Sequence, residues 1–293
     1  MDEEEDVCFL DGLSGGDTIS FLCPQVHEED DWLMGKEASQ QCIQMESGGV
    51  YRVVQIDQQY PDMEGTCGLH LFFRKDPSKS ENEWEYIWHF ADEQTLGGGR
   101  ISTVDKFGCW GRDKLFVVTS SNDTGTGVSI WWEDWYLISP TDVTEVLRLD
   151  TSGYVYDWGM PFNREFDSEI LKAEAQVDTR QFLLEIRYHV TYTNADTNRF
   201  PNLDELFSYD RVAAFVMDVS APGFFIDQPR SEMTWRQVEG IFGESSEGFL
   251  RNNFADLVRI AESDDTVKRS WLSHFLKDCS HSSEKAELLE IMK

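Results

Sequence analysis

Residues 114–158 read KLFVVTSSNDTGTGVSIWWEDWYLISPTDVTEVLRLDTSGYVYDW. Short runs rich in Val, Ile, Trp and Tyr alternate with clusters of Asn, Asp, Thr, Ser, Gly and Pro, the pattern of strands joined by tight turns. The stretch predicts four consecutive strands with turns at Asn122–Gly127, Ser139–Asp142 and Asp150–Gly153. A turn centred on Pro140 and Thr141 sets Glu133 opposite Arg148 and Asp134 opposite Leu147. The next turn sets Leu147 opposite Tyr156 and Leu149 opposite Tyr154. Side chains alternate faces along a strand. One face therefore collects Val128, Ile130, Trp132, Asp134 and Tyr136, and the other Trp131, Glu133 and Trp135. The first face is the expected core, and Asp134 is its one carboxylate.

The same signals continue on both sides. Upstream, alternating residues predict strands from Val50 to Ile56, from Gly68 to Arg74 and from Trp84 to Phe90, where Trp84, Tyr86, Trp88 and Phe90 fall on one face. Downstream, GMPFNREFDSE reads as a loop or short helix. Phe182–Tyr192 is then the cleanest strand, with Phe182, Leu184, Ile186, Tyr188, Val190 and Tyr192 on its core face and His189 on its polar face. Arg211–Ser220 adds another strand. From Ser231 the period changes to that of helices: Thr234 and Gln237 match a capping box, and Leu250, Phe254, Leu257 and Ala261, then Val267, Trp271 and Phe275, keep helical spacing.

These patterns predict an α+β protein. Residues 1–47 form an acidic, loop-rich lead with a short strand near Ile19–Cys23. Residues 48–228 form an antiparallel β domain, a meander or barrel-like sheet, and residues 229–293 a small helical segment. At 40% hydrophobic and 13% aromatic residues, the chain can bury a real core. Its net charge of −30 sets it against phosphate backbones and anionic lipid, which excludes nucleic acid and membrane surfaces and leaves basic proteins or neutral ligands as partners. Residues 231–293 carry 8 basic against 12 acidic side chains, so most of that charge lies on the β-rich remainder. MDEEEDV has neither the basic start nor the apolar stretch of a signal peptide, so the chain reads as cytoplasmic, or as secreted if it is a trimmed mature form. Cys8, Cys23, Cys42 and Cys67 crowd the N-terminal quarter, as reduced thiols or as disulfides in an oxidising compartment; no CxxC pair supports a zinc site.

Two stretches could bind a ligand. In Trp131–Trp135, aromatic faces beside carboxylates can stack a sugar ring and hold its hydroxyls, which makes Trp131, Asp134 and Trp135 the candidate ligand-binding residues. Glu133 and Asp134 point to opposite faces, however, and Glu133 has Arg148 across from it, an arrangement for an ion pair and not for a two-carboxylate hydrolase. Asp134 has three readings: a hydrogen-bonded structural aspartate, a residue turned to solvent by a β-bulge, or a functional carboxylate in a pocket. The second stretch is Asn194–Glu205, NADTNRFPNLDE, with oxygen-bearing side chains at Asn194, Asp196 and Asn198 and Glu205 at the twelfth position. Its spacing resembles EF-hand-like and integrin-type calcium loops, and the resemblance implies Ca²⁺ held by those four residues. It departs from them in carrying Arg199 where they have the turn glycine and in following a strand. The other reading is an Asn/Asp-rich turn capping a helix that starts near Asp204. No nucleophilic triad and no catalytic motif occurs. The function expected is therefore non-catalytic binding of a protein or other ligand through an acidic, aromatic-bearing β surface. The alternatives are a carbohydrate-active domain and a calcium-stabilised extracellular module.

Overall fold

The structure is a computed structural model that describes residues 36–44, 50–59, 66–75, 84–91, 93–94, 100–110, 114–139, 142–156, 159–176, 181–218, 221–241, 243 and 245–293. The strand expected near Ile19–Cys23, together with Cys8 and Cys23, lies outside these residues. The chain forms two compact units. One comprises described residues up to Ser121 together with Asp134–Leu147, and the other Asn122–Glu133 and Arg148–Lys293.

In the first unit, β1 (Lys36–Gln44), β2 (Val50–Gln59), β3 (Thr66–Lys75) and β4 (Trp84–Ala91) form an antiparallel four-stranded sheet in sequence order. Tyr51, Val53 and Phe72 from this sheet are buried with Val117 and Ile138, and Trp88 and Tyr136 pack against them. One expectation changes here. Phe72 pairs with Trp88 but Phe73 pairs with Tyr86, so Ile87 is an extra residue in the β4 ladder. That bulge puts Tyr86 and Trp88 on opposite faces, where unbroken alternation would put them on one. Tyr86 meets Phe73 edge-on at 6.0 Å, and Trp88 meets Phe72 at 5.4 Å.

The remaining strands follow one another in a nine-stranded sheet: β5 (Glu93–Gln94), β6 (Arg100–Trp110), β7 (Lys114–Gly125), β8 (Val128–Ile138), β9 (Val143–Val155), β10 (Phe162–Gln176), β11 (Gln181–Asn194), β12 (Glu205–Asp218) and β13 (Ala221–Ile226). The sheet is an open meander and does not close into a barrel, which corrects that half of the expectation. The β7–β8 turn narrows to Thr126 and Gly127, whose φ of 76° suits glycine. At the β8–β9 turn, Ser139 N–H donates to the Asp142 carbonyl at 2.8 Å.

Three local expectations are overturned. Asp150–Gly153 is not a turn: β9 runs straight through it, so Leu147 and Tyr156 do not face one another across a hairpin. Gly153 lies opposite Phe166 of β10, and a Cβ there would come within 2.6 Å of the Ser129 carbonyl oxygen. The glycine serves close approach between strands. From Phe162 on, the segment read as loop or short helix is the long strand β10. The helix expected near Asp204 is instead the start of β12, which pairs with β11 from Thr193 and Glu205 onward.

In the second unit, one face of β10–β12 is apolar: Phe162 and Phe166 on β10, the expected six residues of β11, and Phe207, Ala213 and Phe215 on β12 are all buried. Among the described residues five short helices follow: α1 (Trp235–Glu239), α2 (Ser246–Asn252), α3 (Phe254–Glu262), α4 (Thr266–Asp278) and α5 (Ser283–Ile291). The capping box of Thr234 and Gln237 forms as expected. Phe249 of α2 stacks on Phe162 at 4.0 Å, and Phe275 of α4 meets both rings edge-on. Polar ties fix the helices to this face. Arg164 donates to the Gly240 carbonyl at 2.8 Å, Trp271 Nε1 to the Pro161 carbonyl at 3.2 Å, and Asn253 Nδ2 to Tyr192 Oη at 3.3 Å. Arg211 of β12 pairs with the buried carboxylate of Asp256, which also accepts from Arg259 at 2.9 Å. No helix among the described residues is long and apolar enough to cross a membrane.

Candidate functional site

Period-2 alternation leaves the opposite face of the same strands polar. Across it, cross-strand register builds two rows. Ser152, Asp167, His189 and Asp210 stand side by side on β9, β10, β11 and β12, and Tyr154, Glu165, Thr191 and Ser208 form the next row. Trp131 of β8 joins Ser152, Tyr154, Glu165, Asp167, His189 and Thr191 in lining an open depression of about 510 Å³; Ser208 and Asp210 continue the rows beyond it.

Trp131 is 41% exposed, high for the largest side chain in proteins. Tyr154 stacks on Tyr156 at 4.7 Å. Burial pushes the Tyr156 phenol above its ordinary pKa, and the negative charge of Glu165 pushes it further. His189 sits on the polar face, as its position in β11 predicts. Its Nδ1 lies 3.1 Å from Asp210 Oδ1 and its Nε2 lies 3.3 Å from Thr191 Oγ1, so the neutral ring can donate to the carboxylate and accept from the hydroxyl. Among the described residues, no lysine or arginine pairs with Glu165 or Asp167. Nearby, Glu169 is taken by Arg187 at 2.9 Å. The depression offers aromatic side chains, the carboxylates of Glu165 and Asp167, the hydroxyls of Ser129, Ser152 and Thr191, and one imidazole.

The three candidates from the Trp131–Trp135 stretch divide between the two units. Trp131 belongs to the second unit, Asp134 and Trp135 to the first. Trp135 is 3% exposed and stacks on Phe116 at 6.1 Å, a packing role. Asp134 is 8% exposed, which removes the reading in which a bulge turns it to solvent; its carbonyl oxygen is 3.5 Å from the Thr119 hydroxyl. Arg148 lays its guanidinium 4.5 Å from the Trp132 ring centre.

In the Asn194–Glu205 loop, Asn194 and Asp196 turn side-chain oxygens on the loop's own backbone. Asn194 is buried; its Oδ1 accepts from Asp196 N–H at 3.1 Å and its Nδ2 donates to the carbonyls of Phe200 and Leu203. Asp196 Oδ1 accepts from Arg199 N–H at 3.1 Å, Asn198 is exposed, and Glu205 accepts from Ser208. Among the described residues, no group of three or more His, Cys, Asp or Glu side chains is arranged to hold a metal ion. His274, one of the C-terminal histidines, lies against the Arg199 guanidinium, with Nδ1 at 2.9 Å.

Reading the sequence misses Tyr154, Glu165, Asp167, Thr191 and Asp210 as site residues. The signal for two of them is present: Phe162, Arg164 and Phe166 alternate with Asn163, Glu165 and Asp167, the mark of a half-buried strand. No protein-family profile matches the chain, and no curated protein or solved structure proves similar to it.

Proposed function

We propose that the chain is a non-catalytic binding protein that takes a basic segment of a partner protein on the polar face of β9–β11. One observation carries this reading: an exposed indole, Trp131, shares a depression with Glu165 and Asp167, which no described lysine or arginine neutralises. Opposite charge draws the partner in, and the ring supplies the apolar and cation–π contact that holds it. The net charge of −30 extends the attraction over the rest of the surface. A fluorescently labelled basic peptide titrated with the whole chain tests it. Binding should weaken steeply between low salt and about 0.5 M salt, where the screening length falls below about 5 Å. It should also drop with Trp131→Ala. Binding that ignores both overturns the reading.

A second reading rests on the hydroxyls of Ser129, Ser152 and Thr191 beside the indole, a setting suited to a neutral sugar ring. A glycan array separates the two, because sugar binding would also need Trp131 but would survive high salt.

A further inference from the structure

Resting on the reading of this groove as a site for basic segments, we propose that what it recognises is the arginine side chain, a guanidinium laid on Trp131 and held by Glu165 and Asp167. The second unit lays arginines on aromatic rings internally, in one case with a carboxylate as well. Arg211 lies 4.0 Å from the centre of the Tyr209 ring while pairing with Asp256, and Arg148 lies over Trp132. Arg164 lies 5.8 Å from the Tyr192 ring. Lysines of the same unit instead reach carboxylates and carbonyls: Lys172 pairs with Glu174 at 3.0 Å, and Lys268 donates to the Leu206 carbonyl.

The groove offers the same kinds of group as the Arg211 site, an aromatic ring beside carboxylates. Glu165 and Asp167 are two residues apart on one face of β10, so their backbones stand about 6.6 Å apart along the strand. That gap suits a flat group with donors on several edges. A guanidinium has five N–H donors in a rigid plane and keeps its charge while stacking on an indole; an ammonium is a compact, strongly hydrated point charge that does neither as well. His189 leaves the carboxylate of Asp167 to the ligand, because its own Nδ1 faces Asp210 on the other side.

The test compares three fluorescein-labelled peptides on the whole chain at low salt: alternating Gly and Arg, its Lys counterpart and its uncharged citrulline counterpart. The Arg peptide should bind roughly tenfold more tightly than the Lys peptide, and citrulline should lose binding. Trp131→Ala, Glu165→Gln and Asp167→Asn should each remove most of the Arg preference while leaving the melting temperature unchanged, since all three side chains are surface residues. If Arg and Lys peptides bind alike and all three substitutions weaken both, the arginine inference is overturned and the groove reading stands. If the Arg preference survives the substitutions, the site is elsewhere and the inference is wrong. If neither peptide binds, the groove reading falls and takes this one with it.

Discussion

Tyr188 sits at 0% exposure in the middle of β11, and its hydroxyl finds no hydrogen-bond partner among the described residues. An unsatisfied buried hydroxyl costs about 1–3 kcal/mol. Tyr188→Phe should therefore leave stability unchanged or raise it by about 1 kcal/mol; a clear drop in melting temperature would mean that the hydroxyl has a partner. Burial, followed by the charges of Asp150 and Glu133, pushes this phenol far above its ordinary pKa. The sign follows from linkage. The unfolded chain ionises near pH 10 while the folded chain keeps its proton, so the stability linked to this group is whole below about pH 10 and is lost above it. The Phe variant should lose less stability than the parent in alkaline melts. Cys279 shows a related effect at a buried thiol, where burial raises the pKa to about 11 and leaves little thiolate at neutral pH. At this scale the sequence was informative about burial, since alternation alone put Tyr188 inside and His189 outside. It was silent on which buried polar atoms find partners.

At the scale of elements, two contacts decide how the second unit packs. β9 passes β8 so closely at Gly153 that a side chain has no room: its Cβ would meet backbone, which cannot swing aside. Gly153→Ala should cost about 1–3 kcal/mol, the usual range for overpacking, and should show as a lower midpoint in urea with circular dichroism still of the β type. An unchanged midpoint would show that the strands can separate there. Asp256, 2% exposed, ties α3 to β12 through Arg211. Removing one partner of a buried pair strands the other, so Asp256→Ala should lower stability by about 3 kcal/mol. A loss no greater than that of the exposed control Arg259→Ala would refute that account. Helix positions were legible because apolar residues recur at helical spacing around good caps. The strand β10 was not, because glycine and proline before it and a row of Glu and Asp within it mimic loop composition.

For the whole molecule, 25 basic side chains face 55 acidic ones, and like charge repels like in the folded state. Added sodium chloride should therefore raise the melting temperature as screening shortens to about 8 Å at physiological salt and less beyond. A melting temperature that falls steadily with salt would show that attractive ion pairs outweigh the repulsion. The chain passes between the two units three times, after Ser121, Glu133 and Leu147. No single cut in β7–β9 releases one unit whole, so binding is best measured on the full chain.

The sequence by itself determined the class: period-2 runs closed by turn residues demand an antiparallel meander, period-3.6 runs with caps demand the terminal helices, and the charge sets the character of the surface. Those properties are local or additive, so they survive without knowledge of the partners. Only the tertiary structure decided which polar residues meet. Glu165, His189 and Asp210 come from three strands, and their adjacency depends on register. Register in turn depends on turn lengths and on single extra residues such as Ile87 and Leu171. One such residue moves every later side chain to the other face. Burial at a given position is set from outside the strand in the same way. Trp131 and Trp135 are four positions apart on β8 and alike in sequence, yet one faces the groove and the other is packed inside.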